Sequence, residues 1–273
     1  MIISDKYGFA FIHIPKSGGS TVRYALMNLD ERKAVYFDRS RRDHDLLGSV
    51  DFAHLPLQAL QQHFPRDFAL LRSYRTFALI RDPMKRFTSS LHEYLLWNMG
   101  EDLAGLPDAD VSRVIREVIE KLNFQDEDKP ILDPTLIHFS RQSDFVELSG
   151  ERIVIDLYPI ERLDEMLNEI GNLVGKKISS RPINQRIQYR SEHLQTASEA
   201  IQWALRSIIP ESIWRPMFNL ARKAMIGTRL VKLDNEKPFQ QTFGPEVEEF
   251  VRHFYRRDFE IYHELIQPGT ARD

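Results

Sequence analysis

Residues Ile12 to Val22 read I-H-I-P-K-S-G-G-S-T-V, and this stretch sets the reading of the whole chain. An apolar, β-branched and aromatic run of Phe9, Phe11, Ile12 and Ile14 leads into Pro15 and Lys16. Beyond the two glycines, Val22, Tyr24, Ala25, Leu26 and Leu29 follow a helical pattern. The expectation is a strand, a tight glycine loop and a helix N-terminus. Gly18 and Gly19 allow positive φ and a close approach of backbone to a ligand. The first N–H groups of the helix lack intrahelical acceptors, so they and the helix dipole suit an anion. Lys16, Ser20 and Thr21 add a charge and two hydroxyls, and a phosphate fits there. An ordinary strand-to-helix turn, with Ser20 or Thr21 as N-cap and Lys16 in solvent, uses the same residue types and stays open at this level.

The common P-loop places its lysine after the last glycine, whereas here Lys16 precedes the pair. The arrangement resembles the 5′-phosphosulfate loop of sulfotransferases that use 3′-phosphoadenosine 5′-phosphosulfate (PAPS). It is most similar to the branch containing carbohydrate sulfotransferases and many bacterial members, whose pattern is H-[IV]-P-K-[ST]-G-G-[ST]-[ST]. That resemblance implies an α/β fold of P-loop type, with a central, mostly parallel sheet flanked by helices. It also implies PAPS as donor and a second phosphate motif downstream.

Such a motif is present. Tyr74 to Ile80 reads as a strand, and R-D-P-M-K-R-F-T-S-S-L-H-E-Y-L-L-W follows, with Pro83 opening a helix whose apolar stripe is Phe87, Leu91, Tyr94 and Leu95. In the family, R-[DN]-P-x-x-R-x-x-S holds the 3′-phosphate, and Arg81, Asp82, Pro83, Arg86 and Ser89 fill that pattern. Arg81 has the forked donors a phosphate needs, and Ser89 offers a hydroxyl. Arg86 has two further readings, a pair with Asp82 or a place in solvent.

Between the motifs, Ala34 to Phe37 is a short strand candidate, followed by Arg39, Arg41 and Arg42 in a charged loop. Val50 to His54 reads as another strand, with a helix after Pro56. His54 then falls at a strand C-terminus, the edge where open α/β sheets hold ligands. A histidine satisfied by a backbone carbonyl is the plain alternative. The resemblance favours His54 as general base, because members of this branch often carry a catalytic histidine or glutamate after that strand.

Downstream, residues 98 to 150 read as an insertion with one amphipathic helix over Val111 to Leu122, either shaping the acceptor pocket or decorating the periphery. Arg152 to Tyr158 reads as a buried strand and Pro159 to Val174 as a helix ended by Gly175, with Glu161 and Leu163 in family positions. Asn184, Arg186 and Arg190 lie in the loop that follows. Residues 195 to 240 form a second expected helical insertion, in which Trp203, Trp214 and Phe218 are interleaved with basic residues. That interleaving suggests peripheral membrane contact through residues 201 to 232, or aromatic faces packed on a core. The segment Pro245 to Leu265 reads as a terminal amphipathic helix carrying Tyr255, Asp258, Phe259 and Tyr262.

The whole chain sets the outer limits. At 273 residues it suffices for one domain, taken here as 1 to 273. A net charge of −3 gives no global footprint for nucleic acid. Cysteine is absent, which removes disulfides, thiolate metal sites and cysteine nucleophiles, and no metal-ligand cluster is evident from spacing. No run approaches the ~20 apolar residues of a membrane span, and the N-terminus has no signal pattern, so a cytoplasmic enzyme is expected. The resemblance implies sulfuryl transfer to a hydroxyl of a carbohydrate or glycolipid, with Lys16 and His54 catalytic and Lys16, Ser17, Gly18, Gly19, Ser20, Thr21, Arg81 and Ser89 on the donor. Three rivals remain: a protein tyrosine sulfotransferase, a nucleotide kinase, and a non-catalytic nucleotide-binding module.

Overall fold

The computed structural model describes residues 1–36, 41–45, 47–98, 108–126, 129–179, 186–189, 231–234 and 243–267. Its chain divides into two compact units, Met1–Arg181 with Gln240–Asp273, and Pro182–Phe239. Within the second, Arg186–Tyr189 pairs antiparallel with Val231–Asp234, Asp234 opposite Arg186. The 195 to 240 insertion otherwise lies outside the described residues, as do Asn184, Arg190 and most of the proposed membrane segment; its described part is strand, not helix.

The first unit is built on a four-stranded sheet of β1 (Ile2–Ser4), β2 (Phe9–Ile12), β5 (Arg75–Ile80) and β8 (Asp156–Pro159), in that spatial order. β1 runs antiparallel to β2, while β2, β5 and β8 are mutually parallel, with Ile12 opposite Ala78 and Ile80 opposite Pro159. The expected mostly parallel sheet flanked by helices is therefore present. All four residues of β2 are buried, as a strand covered on both faces requires. Phe9 and Phe11 turn towards α1 (Gly19–Leu26) and α7 (Leu163–Val174), packing with Val22, Leu26, Phe77, Met166 and Ile170. Ala10 and Ile12 turn to the other face, against Leu57 and Leu60 of α3 (Leu57–His63), Phe68 of α4 (Pro65–Ser73), and Ile261.

Both motif helices leave the same sheet edge. α1 follows β2, and α5 (Pro83–Asn98) follows β5, its neighbour. Asp82 caps α5, accepting the Lys85 N–H at 2.9 Å, and Pro83 occupies the first turn, where no N–H is needed.

Several expectations of local structure are corrected. Ala34 to Tyr36 is no strand, since Lys33–Tyr36 is a helical turn, and Phe37 lies outside the described residues. Four residues are too few for period to decide, and the Tyr36 hydroxyl fixes the turn by donating to Asp67 at 2.7 Å. The strand near His54 ends at Asp51: among the described residues β4 (Gly48–Asp51) pairs with β3 (Arg41–His44) alone, outside the central sheet. Asp51 accepts the Ala53 N–H at 2.8 Å and turns the chain into a 3₁₀ turn over Phe52–His54. Arg152 to Tyr158 also splits. Ile153 and Val154 both donate to the Val146 carbonyl, leaving Glu151–Arg152 in a hairpin with Glu147–Leu148 and the central strand to begin at Asp156. The terminal helix breaks at Tyr255 into Pro245–Phe254 and Arg256–Ile266, and on α1 it is Arg23 that is buried while Tyr24 faces solvent.

The 98 to 150 insertion has the expected helix, α6 (Asp108–Asn123). Its C-terminal part, however, is core: Phe139, Ser140, Gln142, Phe145 and Val146 are all fully buried.

Candidate active site

The loop after β2 closes tightly on itself. Lys16 adopts φ 61° and Gly18 φ 80°, both left-handed, and Gly18 caps α1. A side chain is disfavoured at Gly18 by that φ and by Ile160, whose Cδ1 would stand 3.0 Å from an added Cβ. Gly19 is excluded differently, since a Cβ there would lie 1.8 Å from His13 Cδ2. The sequence reads both glycines as room for a ligand; at Gly19 the room is filled by an imidazole. The Thr21 N–H is bonded to the Gly18 carbonyl at 3.1 Å. Ser20 and Thr21 stand half-buried in the first turn of α1.

Lys16 and Arg81 converge. The Arg81 guanidinium donates to the Lys16 carbonyl at 3.1 Å. Burial pulls the guanidinium down from its ordinary value, opposed by the Glu161 carboxylate and reinforced by Arg86. A desolvated cation at a sheet edge gains from an anionic ligand that replaces its lost water. The Lys16 ammonium is paired with Glu93 of α5 at 2.8 Å.

Gln142 connects the two loops, a role not visible in the sequence. Its side chain is fully buried. Oε1 accepts from the Ser17 hydroxyl at 3.1 Å and from the Arg81 N–H at 2.9 Å, while Nε2 donates to the Arg81 carbonyl at 2.8 Å. The Ser17 hydroxyl is thus turned inward, leaving its backbone to any ligand. Gln142 is anchored in turn by Asp258, which accepts its N–H at 2.7 Å and that of Ser143 at 2.9 Å.

Arg86 neither pairs with Asp82 nor meets solvent. It is buried, donates to the carbonyls of His138 and Ser140, lies 3.7 Å from Asp258, and stacks 4.9 Å from the Tyr255 ring. Helical register explains this: Arg86 and Ser90 share the inner face of α5, whereas Ser89 and Glu93, four residues apart, share a half-buried one. Ser89 has no hydrogen-bond partner among the described residues, while Thr88 and Ser90 bond to α5's own carbonyls. The i, i+4 spacing from Ser89 was the available signal for Glu93.

His54 lies beside the first loop. Its Nδ1 is 3.1 Å from the His13 carbonyl, which can only accept, so Nδ1 carries a proton. Nε2 is 3.9 Å from Asp51 Oδ2. The His54 ring packs 4.3 Å from that of His13 and 5.7 Å from that of His138. His54 thus has the backbone-carbonyl contact that is the plain alternative for a histidine at this place.

The sulfotransferase family model matches residues 1–263. The chain belongs to the sulfotransferase family. No curated protein and no solved structure shows a significant match to it. Membership carries sulfuryl transfer as the general chemistry, an acceptor substrate and a sulfate donor like PAPS. Among the described residues of this sulfotransferase no helix is long and apolar enough to cross a membrane. A cavity of about 640 Å³ lined by Arg141, Asp144, Glu147, Arg256 and Arg257 contains no residue of either loop. Two of its arginines are paired with acids of the same wall, Arg141 with Asp144 and Arg257 with Glu147.

Proposed function

We propose that this sulfotransferase uses PAPS as donor and moves its sulfuryl group to a hydroxyl of a carbohydrate or glycolipid in the cytoplasm. The observation that carries the reading is the pair of cationic loops on adjacent parallel strands, tied through Gln142 and the Lys16 carbonyl. A donor phosphorylated at both 3′ and 5′ positions needs two anion sites at fixed spacing, and these loops are joined by the hydrogen bonds of Gln142 and Arg81. The half-buried charge of Arg81 and the tight glycine turn fit such a ligand.

In this assignment Lys16 and the N–H groups at the start of α1 hold the 5′-phosphate, and Arg81 with Ser89 holds the 3′-phosphate. In-line transfer breaks the bond from sulfur to the phosphate oxygen and forms one to the acceptor oxygen. Lys16 offsets the charge that develops on the leaving phosphate. For that, its ammonium shifts from Glu93 towards the ligand. His54 Nε2 takes the proton of the acceptor hydroxyl, and Asp51 faces the resulting imidazolium. The His13 carbonyl, by accepting from Nδ1, favours the tautomer in which Nε2 is the accepting nitrogen.

The test is thermal unfolding with adenosine 3′,5′-bisphosphate, compared with ATP plus magnesium, AMP and inorganic phosphate. At about a hundred times its dissociation constant a ligand adds about 2.7 kcal/mol of stability, a shift of a few degrees or more. A shift confined to the bisphosphate is expected. An equal or larger shift with ATP refutes the donor assignment and supports a kinase.

A further inference from the structure

We propose that Asp51, His54 and His138 form a site for a divalent transition-metal ion of the zinc type, overlapping the imidazole nitrogen of His54. Each of the three side chains offers one ligand atom, and all these atoms lie within 4.8 Å of one another. The separation between Asp51 Oδ2 and His54 Nε2 is 3.9 Å. A tetrahedral zinc with bonds of about 2.0–2.2 Å needs ligand atoms about 3.4 Å apart. Closing the site therefore draws any pair of ligand atoms together by at most about 1.4 Å.

The backbones are fixed in a manner that suits this. Asp51 is in register opposite Arg41 in its hairpin, and its Oδ1 already holds the Ala53 N–H, so Oδ2 is the oxygen turned to the site. The carbonyl of His138 is gripped by the Ser90 hydroxyl at 2.6 Å and by Arg86 at 3.2 Å. His54 donates from Nδ1 to the His13 carbonyl, the outer-shell hydrogen bond that fixes a ligating histidine with its other nitrogen towards the metal. His54 is buried, and Asp51 and His138 are half-buried, so an arriving ion exchanges only part of its water.

Two imidazoles and one carboxylate favour zinc, cobalt or copper over magnesium or calcium, which prefer all-oxygen shells. Three protein ligands leave a fourth position to water. With the ion bound, the Nε2 lone pair is engaged and cannot accept a proton. Zinc then inhibits transfer while the donor still binds. This inhibitory consequence rests on the proposed role of His54; the metal binding itself does not.

The test is a Co²⁺ titration of the full-length protein in excess Mg²⁺, read by visible absorption, with the bisphosphate thermal shift run in parallel. The wild type should develop tetrahedral d–d bands saturating at one equivalent and abolished by Zn²⁺. Asp51→Asn keeps an oxygen for the Ala53 N–H and should weaken Co²⁺ binding at least about tenfold, as should His138→Asn. Wild-type protein without such bands overturns the site, whatever the variants do. So does unchanged affinity in both folded variants. A lost bisphosphate shift with intact cobalt bands would refute the donor assignment and leave the metal site standing.

Discussion

Replacing Gln142 by methionine keeps the volume of a fully buried side chain and removes its hydrogen-bonding atoms. Three groups lose a partner: the Ser17 hydroxyl, the Arg81 N–H and the Arg81 carbonyl. A buried polar group left unmatched costs about 1–3 kcal/mol. Ser17 retains a weak contact to the Pro15 carbonyl at 3.4 Å, and Arg81 is half-buried, so the lower end of that range applies to each. The sum is about 3 kcal/mol, a large part of the ~5–15 kcal/mol that holds a domain together. Urea unfolding with unchanged slope should show this loss. The functional effect is separate. With the link cut, the Lys16 and Arg81 loops move independently, and a ligand gripping both loses the benefit of fixed spacing. Calorimetry should show the affinity for adenosine 3′,5′-bisphosphate falling at least about tenfold, while AMP, which meets one loop, changes less. A variant with stability within about 1 kcal/mol of wild type and unaltered bisphosphate affinity would show that Gln142 does not couple the loops.

Further outcomes are expected. Lys16→Ala should lower turnover at least about a hundredfold, as loss of a transition-state charge partner does, and near-normal turnover removes Lys16 from the mechanism. His54→Ala should abolish turnover with bisphosphate affinity retained; a matching loss of affinity argues against a proton-accepting role. Gly19→Ala drives a Cβ to within 1.8 Å of the His13 ring, so the loop must open. Bisphosphate binding should be lost there, and wild-type affinity would contradict the close packing. Asp144 gives a pH test of the fold. Burial pushes its carboxyl up from 3.8 to about 6, against the pull of Arg141, so its charge costs about 3 kcal/mol at neutral pH. The folded chain takes up this proton before the unfolded one, and the cost disappears as pH falls from 6 towards 4. Asp144→Asn should therefore exceed wild type in stability most at pH 7 and lose that advantage by pH 4, measured by chemical unfolding across the range. A difference independent of pH refutes it.

What the sequence determined by itself is whatever lies within a few residues of its cause. The run from Phe9 to Leu26 encodes strand, loop and helix through apolar period and two glycines, and Arg81 to Leu95 does so through a proline and a helical stripe. Their order, each strand into helix, already implies parallel neighbours with both loops on one edge, and Lys16 and Arg81 do converge there. The tertiary structure decided everything that joins segments distant in the chain. Glu93 meets Lys16 across 77 positions, Gln142 meets Ser17 across 125, and His138 reaches His54 from a segment that reads as an insertion. No periodicity marks such residues, because their positions follow from how α5, the 136–146 segment and Asp258 pack together. Arg86 shows the same limit at a single residue. Its place in a phosphate motif suggests a ligand, yet its face of α5 turns inward, and a buried guanidinium must find its partners inside the protein.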